Sequence, residues 1–170
     1  YFDTSSKSIT VGAGVLLPHF VKECVSKGIS GFEYLSGIPG TVGAGVCINA
    51  GTKRGEIKDN FIETQVMIDE NIKIITNEQM CFAYRGSILK GKSAIILNAK
   101  FFYNEYKPTE VIKSIINEER LLRSKKQPKN KKNCGSIFKS SADIPAGCYI
   151  EQCGLKGAKV GGAMISNEHA

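Results

Sequence analysis

Residues 37–51 are Gly37-Ile38-Pro39-Gly40-Thr41-Val42-Gly43-Ala44-Gly45-Val46-Cys47-Ile48-Asn49-Ala50-Gly51, with five glycines, one proline and no charged residue. Glycine serves where the backbone takes a positive φ or lies close to a ligand, and proline stiffens a turn. A loop of this kind presents consecutive peptide N–H groups to an anion such as phosphate or pyrophosphate. The spacing fits neither the Walker loop nor the G-x-G-x-x-G fingerprint. Two interpretations stay open: a phosphate-binding loop, and a glycine-rich corner packed tightly for structural reasons.

The length and composition are typical of a globular protein. The 170 residues fit one ordinary domain, or one domain with part of another, and 42% of them are hydrophobic. No apolar run approaches the roughly 20 residues that span a bilayer, so we expect no membrane partner. The chain begins without methionine, inside a strand-rich region, and its first residues lack the order of a signal peptide. We therefore expect a fragment of a longer protein.

The six cysteines form no C-x-x-C pair, and the chain contains only two histidines. This arrangement has no zinc-ligand spacing, so no metal site is expected. Because no export signal is visible, reduced thiols in the cytoplasm are favoured over disulfides.

The net charge of +7 is concentrated on either side of Pro128. The cations of this basic segment are Arg120, Arg123, Lys125, Lys126, Lys129, Lys131 and Lys132. The segment is interpreted as a solvated connection, as a site for an acidic small molecule such as a nucleotide, or as a nucleic-acid surface. No aromatic residue interleaves with the cations, which makes nucleic acid the weakest of these hypotheses.

The hydrophobic pattern predicts an α/β (α+β) fold. The predicted strands cover residues 8–14, 62–68, 72–76, 94–102 and 135–139, with 94–102 central in a sheet. The predicted helices cover 17–25, a short turn capped by Asn77, a long helix capped by Thr109, and 146–153. Gly28, Pro128 and Gly154 are expected to end three of these helices. Composition changes between residues 108 and 132, which divides the chain into 1–107, a connection over 108–132, and 133–170.

Two residues stand where chemistry is possible. Arg85 follows Tyr84 at the end of a short turn, and Ser136 follows Gly135 after the basic segment. Taken alone, Arg85 is more readily interpreted as a surface residue and Ser136 as a local hydrogen-bonding group. No histidine lies near Ser136, so a Ser-His-Asp hydrolase has little support. Further cationic candidates, each of which is otherwise a solvated side chain, are Lys126, Lys139 and Lys156.

Five motifs occur along the chain in a characteristic order. They are the 37–51 stretch, Tyr84-Arg85-x-Ser87, the basic run 123–128, Gly135-Ser136-x-Phe138, and the segment 146–170 with Glu151-Gln152-Cys153-Gly154-Leu155-Lys156-Gly157. Together they resemble the UDP-N-acetylenolpyruvoylglucosamine reductase (MurB) family over nearly all of the chain.

The resemblance implies part of an FAD-binding domain of the p-cresol methylhydroxylase/vanillyl-alcohol oxidase type over 1–107, and the start of a MurB-type substrate-binding domain over 133–170. It implies a cytoplasmic, NADPH-dependent reduction of UDP-N-acetylglucosamine enolpyruvate to UDP-N-acetylmuramate in peptidoglycan synthesis. The implied FAD-binding residues are Gly37, Ile38, Pro39, Gly40, Thr41, Val42, Gly43, Gly45, Asn49, Ala50 and Gly51. Arg85 would stabilise negative charge beside the substrate carboxylate, and Ser136 would donate the proton. The implied substrate-binding residues are Tyr84, Lys126, Lys139 and Lys156.

The chain departs from the family pattern at Thr52-Lys53-Arg54, where Ala-Tyr-Gly is usual, so contacts from that segment stay unassigned. The family's Gly-x-Gly-Ser-Asn flavin loop is expected before Tyr1, and its late catalytic glutamate beyond Ala170. We expect NADPH and the UDP-sugar as partners, a monomer, and no nucleic acid. Two rival hypotheses remain: another oxidoreductase of the same flavin superfamily, and a non-catalytic nucleotide- or RNA-binding module that uses the basic segment.

Overall fold

A computed structural model describes residues 2–3, 6–126, 134–141 and 144–168, with side chains described over 6–122, 134–141 and 144–168. The chain forms two compact units, residues 1–120 and residues 121–170, and the fold is mixed α/β. The division falls inside the predicted connection 108–132, whose own boundaries stay a prediction. Among the described residues, no helix combines the length and the apolar character needed to cross a bilayer.

The strands are β1 (Phe2–Asp3), β2 (Ser8–Gly12), β3 (Ile29–Ser30), β4 (Gly51–Thr52), β5 (Gly55–Glu56), β6 (Phe61–Ile68), β7 (Asn71–Thr76), β8 (Ile95–Phe102), β9 (Glu105–Tyr106), β10 (Lys159–Val160) and β11 (Ala163–Met164). The α-helices are α1 (Leu17–Ser26), α2 (Val42–Cys47), α3 (Thr109–Lys126) and α4 (Ala146–Gln152), and 3₁₀ turns cover Glu33–Leu35 and Ile57–Asp59.

Five strands form one antiparallel sheet in the order β1-β2-β8-β6-β7. The apolar run of β8 is central, as predicted, because β2 and β6 both pair with it. Strands β6 and β7 form the predicted hairpin, and Asp69 and Glu70 at its turn have φ values of 48° and 61°. Two successive positive φ values match the right-handed twist of the flanking strands.

Helix α1 packs its apolar side onto this sheet, as its residue spacing predicts. Phe20 of α1 stacks on Phe101 of β8 with ring centroids 5.6 Å apart, and Phe32 lies 4.9 Å from Phe20. Phe61 of β6 adds an edge-to-face contact with Phe101 at 5.9 Å. Aromatic pairs in these geometries add to the free energy gained from burial alone. The core of the first unit therefore lies between α1 and the sheet.

Three predictions about local structure are wrong. The stretch 42–47 is not a loop but helix α2. The short turn after Asn77 is present, closed by the Met80 amide on the Thr76 carbonyl at 2.9 Å, but Asn77 does not cap it, because its side chain donates to the carbonyls of Lys58 and Phe61 at 3.0 and 2.9 Å. Residues 135–139 form no strand.

Helix α3 begins at Thr109, but the Thr109 hydroxyl does not cap it. This hydroxyl donates to the carbonyl of Val25 at 3.3 Å, which attaches the helix to the end of α1. The predicted terminator, Pro128, lies outside the described residues. In the second unit, α4 ends next to Gly154 with φ 68°, as predicted, and β10 and β11 form a short hairpin.

Candidate functional site

The loop before α2 is shaped by its glycines. Gly37 and Gly40 have φ values of 76° and 114°, which side chains rarely adopt. Gly43 lies so close to Ala13 that an added Cβ would be 2.9 Å from the Ala13 Cβ. The Thr41 hydroxyl accepts a hydrogen bond from the Ala44 amide and caps the helix. The close contact at Gly43 supports the packing interpretation, while phosphate binding by the exposed turn at Gly40 stays a prediction.

Two amides of this stretch are engaged within the protein, so the predicted run of consecutive N–H donors is shorter than the glycine spacing suggests. The amide of Val42 donates to the carbonyl of Val15 at 2.8 Å, and the amide of Gly43 donates to the carbonyl of Ala13 at 2.9 Å. Within the described residues, the amides of Gly40 and Thr41 have no acceptor. An anion at this loop would therefore find two adjacent donors.

The surface around these two amides has few side chains. A Cβ added at Gly12, Gly14 or Gly40 would meet no atom within 4 Å. Leu16 pairs with Thr41 in an isolated β-bridge, and its side chain is exposed. The two free amides can bind a phosphate, and the bare backbone and exposed apolar side chains beside them leave room for a planar ring. The residues present are therefore compatible with a flavin nucleotide.

Helix α2 ends in a corner built around Asn49, which is fully buried and has a φ of 48°. The Asn49 Nδ2 donates to Glu56 Oε2 at 2.9 Å and to the Ala83 carbonyl at 3.1 Å, and its Oδ1 accepts from the Lys58 amide. The side chain of Asn49 faces the protein interior, and the prediction that Asn49 binds the cofactor stays a prediction. Its described role is to join α2, the 51–56 hairpin and the turn at residues 83–86.

Arg85 lies against this corner. Its Nη2 donates to the Gly51 carbonyl at 2.7 Å and its Nη1 to the Asn49 carbonyl at 3.3 Å, while Nη1 is 3.6 Å from Glu56 Oε1. The guanidinium carbon lies 4.8 Å from the centre of the Tyr84 ring. The side chain is 31% exposed, so a cation stays within reach of solvent or a ligand.

The backbone at Arg85 has a φ of 55°, which is unfavourable for a residue with a Cβ. Two hydrogen bonds between Ala83 and Gly86 close the turn around it. The Ser87 hydroxyl donates to the carbonyl of Cys47 at 2.7 Å, which attaches the turn to the end of α2. Strain of this kind persists where the surroundings fix the conformation, and it occurs often at functional sites. The motifs at 37–51 and 84–87 are thus in contact.

Ser136 and the candidate lysines belong to the second unit or to its boundary. Ser136 and Lys139 are exposed, and Lys156 makes an ion pair with Glu151 at 2.6 Å. Lys126 lies in the last turn of α3, and its side chain is outside the described part of the chain. The roles given to these residues stay predictions.

Arg54 and Glu56 received no role from the sequence analysis. For Arg54, a carboxylate on an apolar helix side, Glu119, indicated that a cationic partner was needed. Glu119 lies on the apolar side of α3 and is 8% exposed, so it needs a partner. That partner is Arg54 at the turn of the 51–56 hairpin, whose Nε contacts the Glu119 carboxylate. Glu56, the residue that joins Asn49 to Arg85, had no such signal because residues 52–56 look like an ordinary polar loop in the sequence.

Tyr34 lies beneath the same hairpin, with its ring against Gly55. Its hydroxyl is buried and has no hydrogen-bond partner in the described residues. Burial raises the pKa of this hydroxyl well above the ordinary tyrosine value, and the negative charge of Asp59 raises the pKa further.

Two parts of the chain match models of known protein families. Residues 1–75 match a model described as FAD binding domain, and residues 127–170 match the C-terminal domain of UDP-N-acetylenolpyruvoylglucosamine reductase. UDP-N-acetylenolpyruvoylglucosamine reductase of Trichormus variabilis is 36% identical over 170 residues, which cover 99% of this chain and 51% of the relative. The protein of the same name from Agathobacter rectalis is 40% identical over 162 residues, which cover 95% of this chain and 51% of the relative.

A solved structure agrees with these relatives. The reductase of Thermus caldophilus superimposes with a TM-score of 0.84 at 39% identity, over 99% of this chain and 61% of that one. The chain thus spans about half the length of the curated relatives it matches. Matches over nearly all of its own length, in sequence and in fold, show that the chain belongs to the UDP-N-acetylenolpyruvoylglucosamine reductase family.

Proposed function

We propose that the protein containing this chain is a UDP-N-acetylmuramate dehydrogenase. It reduces UDP-N-acetylglucosamine enolpyruvate to UDP-N-acetylmuramate with NADPH and FAD, in the cytoplasm, for peptidoglycan synthesis. The observation that carries this proposal is the contact between the 37–51 stretch and the Tyr84-Arg85 turn, made through the carbonyls of Asn49 and Gly51. The names of the relatives support the same activity.

The amides of Gly40 and Thr41 would hold the pyrophosphate of FAD. Bare backbone at Gly12, Gly14 and Gly40 would let the cofactor lie close to the chain. Bound FAD supplies hydride chemistry that no side chain can perform. The protein's contribution is to fix the position of the cofactor and the charge around it.

Arg85 would stabilise negative charge on the substrate. Addition of hydride to the enolpyruvyl double bond places negative charge beside the substrate carboxylate, and a fixed guanidinium lowers the free energy of that state. Because its bonds to Asn49 and Gly51 hold Arg85 in place before the substrate arrives, little reorganisation is needed. Tyr84 would pack against the same substrate, together with the cations Lys126, Lys139 and Lys156.

Ser136 would complete the reaction by donating its hydroxyl proton to the carbon next to the carboxylate. The substrate then gains one hydride and one proton across its double bond, and the serine oxygen recovers a proton from solvent. Serine is a weak acid at its ordinary pKa, so a neighbouring cation is required, and Lys126 is the candidate.

The test separates the two half-reactions in the protein that contains this chain. Under anaerobic conditions, NADPH should bleach the visible absorbance of the bound flavin, and UDP-N-acetylglucosamine enolpyruvate should restore it. Bleaching without restoration by this substrate would indicate another oxidoreductase of the flavin superfamily. Purified protein that binds no flavin would favour a non-catalytic binding module instead.

A further inference from the structure

The hairpin formed by β4 and β5 carries a charged residue at its turn. Arg54 Nε contacts the Glu119 carboxylate on α3, and Arg54 Nη2 is 3.6 Å from Glu118 Oε2. Glu119 is only 8% exposed, and a buried carboxylate is stable only when it is paired. The ion pair therefore fixes the turn of the hairpin against α3.

Both strands of this hairpin contact Arg85. On β4, the Gly51 carbonyl accepts from Arg85 Nη2, and on β5 the Glu56 carboxylate lies 3.6 Å from Arg85 Nη1. The strands are packed so closely that a Cβ added at Gly51 would lie 2.3 Å from the Gly55 carbonyl oxygen. The hairpin is therefore a closely packed connection between Arg54 and Arg85.

We propose that Arg54 is a positioning residue for Arg85, acting through the 51–56 hairpin from its ion pair with Glu119. This segment, Thr52-Lys53-Arg54, is the one that departs from the family pattern and had no assigned role. The geometric part of the proposal concerns only contacts within residues 1–120. Its effect on turnover rests on the proposed function of Arg85.

The geometric part is tested on the 170-residue chain by NMR of the arginine Nε–Hε groups. The Arg85 signal is assigned by its loss in Arg85→Lys. Arg54→Met should shift or broaden that signal, because the hairpin is no longer held by Glu119. Arg54→Lys should restore it in part, since lysine keeps the charge but not the fork of donors. The matched control is Lys53→Met, next in sequence on the same turn and exposed, which should leave the Arg85 signal unchanged.

Glu119→Gln provides a second route if Arg54→Met fails to fold. It removes the charge of the partner and keeps its shape, so it should shift the Arg85 signal in the same direction as Arg54→Met and by less. If either folded variant leaves the Arg85 signal as it is in Lys53→Met, the proposal is wrong.

The turnover part is measured in the protein that contains the chain. Arg54→Met should slow the reoxidation of reduced flavin by the enolpyruvyl substrate about tenfold, within the roughly 100-fold that a 1 Å misplacement can cost. Flavin reduction by NADPH should be unaffected, and the loss should vanish when Arg85 is already replaced by lysine. A shifted Arg85 signal without this kinetic loss would leave Arg54 as a positioning residue and contradict the proposed role of Arg85 instead.

Discussion

Arg85 combines a positive φ with two carbonyl contacts, and its guanidinium fork is the feature that a lysine lacks. Arg85→Lys should lower turnover on the order of 10², as loss of a fixed donor does. It should also lower the free energy of unfolding by about 1–3 kcal/mol, because one carbonyl loses its partner. Steady-state kinetics and urea unfolding measure the two effects, with Lys92→Met as an exposed control. Unchanged turnover would exclude Arg85 from contact with the substrate.

Ser136 is exposed in its unit, and its role as proton donor is a proposal. Ser136→Ala should leave flavin reduction by NADPH near normal and slow reoxidation by the enolpyruvyl substrate by roughly 10²–10⁴. Rapid-mixing absorbance measurements separate these steps. Equal slowing of both steps would show that Ser136 does not supply the proton.

Tyr34 has a buried hydroxyl without a partner, so its removal costs no hydrogen bond. Tyr34→Phe should raise the free energy of unfolding by about 1 kcal/mol, because an unsatisfied polar group is eliminated. The matched control is Tyr103→Phe, which loses a 2.8 Å bond to Tyr106 and should be destabilised by a similar amount.

The pH dependence of Tyr34 supplies a second test. Its pKa is raised in the folded state, so the folded protein holds the proton and its stability falls as pH rises past the ordinary tyrosine pKa. Tyr34→Phe should reduce this alkaline loss, measured by urea unfolding at several pH values. A loss that is as steep as in the unchanged protein would contradict the assigned environment.

At the scale of elements, the corner after α2 depends on Asn49. Asn49→Ala should lower the free energy of unfolding by about 2–4 kcal/mol, because the Glu56 carboxylate, the Ala83 carbonyl and the Lys58 amide all lose a partner. Asn49→Gly loses the same bonds but tolerates the φ of 48°, so it should be roughly 1 kcal/mol more stable than alanine. Urea unfolding measures both. Equal stabilities would show that the positive φ carries no cost.

The sequence predicted the strands and helices whose apolar residues repeat at a regular spacing within the element itself. Strand β6 alternates apolar and polar residues, and α1 repeats apolar residues at helical spacing, so both were found. Helix α2 was missed because glycine disfavours a helix. It forms through tertiary contacts, since an added Cβ at Gly45 would lie 2.8 Å from Ile57. Residues 135–139 include Ile137 and Phe138, which favour strands, but have no partner strand in the described part of the chain.

In the candidate site, too, local patterns could be predicted from the sequence and tertiary contacts could not. The glycine loop was selected by its composition and Arg85 received its role from the family resemblance, and the structure shows that their motifs touch. The contacts that hold them together join residues 34 or more positions apart, as in the bonds of Arg85 to Gly51 and of Asn49 to Ala83. Such pairings arise from the packing of separate elements, and local sequence patterns do not encode them.

The chain as a whole consists of two compact units with different expected tasks. The first carries the loop and the Tyr84-Arg85 turn, and the second carries Ser136. The proposed reaction requires these tasks to meet on one cofactor. FAD is therefore the molecule whose position decides between the proposed function and its rivals.

The most direct test is a crystal structure, with FAD bound, of the protein that contains this chain. We expect a pyrophosphate oxygen at about 3 Å from the amide of Gly40 or Thr41, with the Arg85 guanidinium beside the flavin ring. FAD held elsewhere, with the 37–45 loop free of it and Arg85 remote from the ring, would contradict the account.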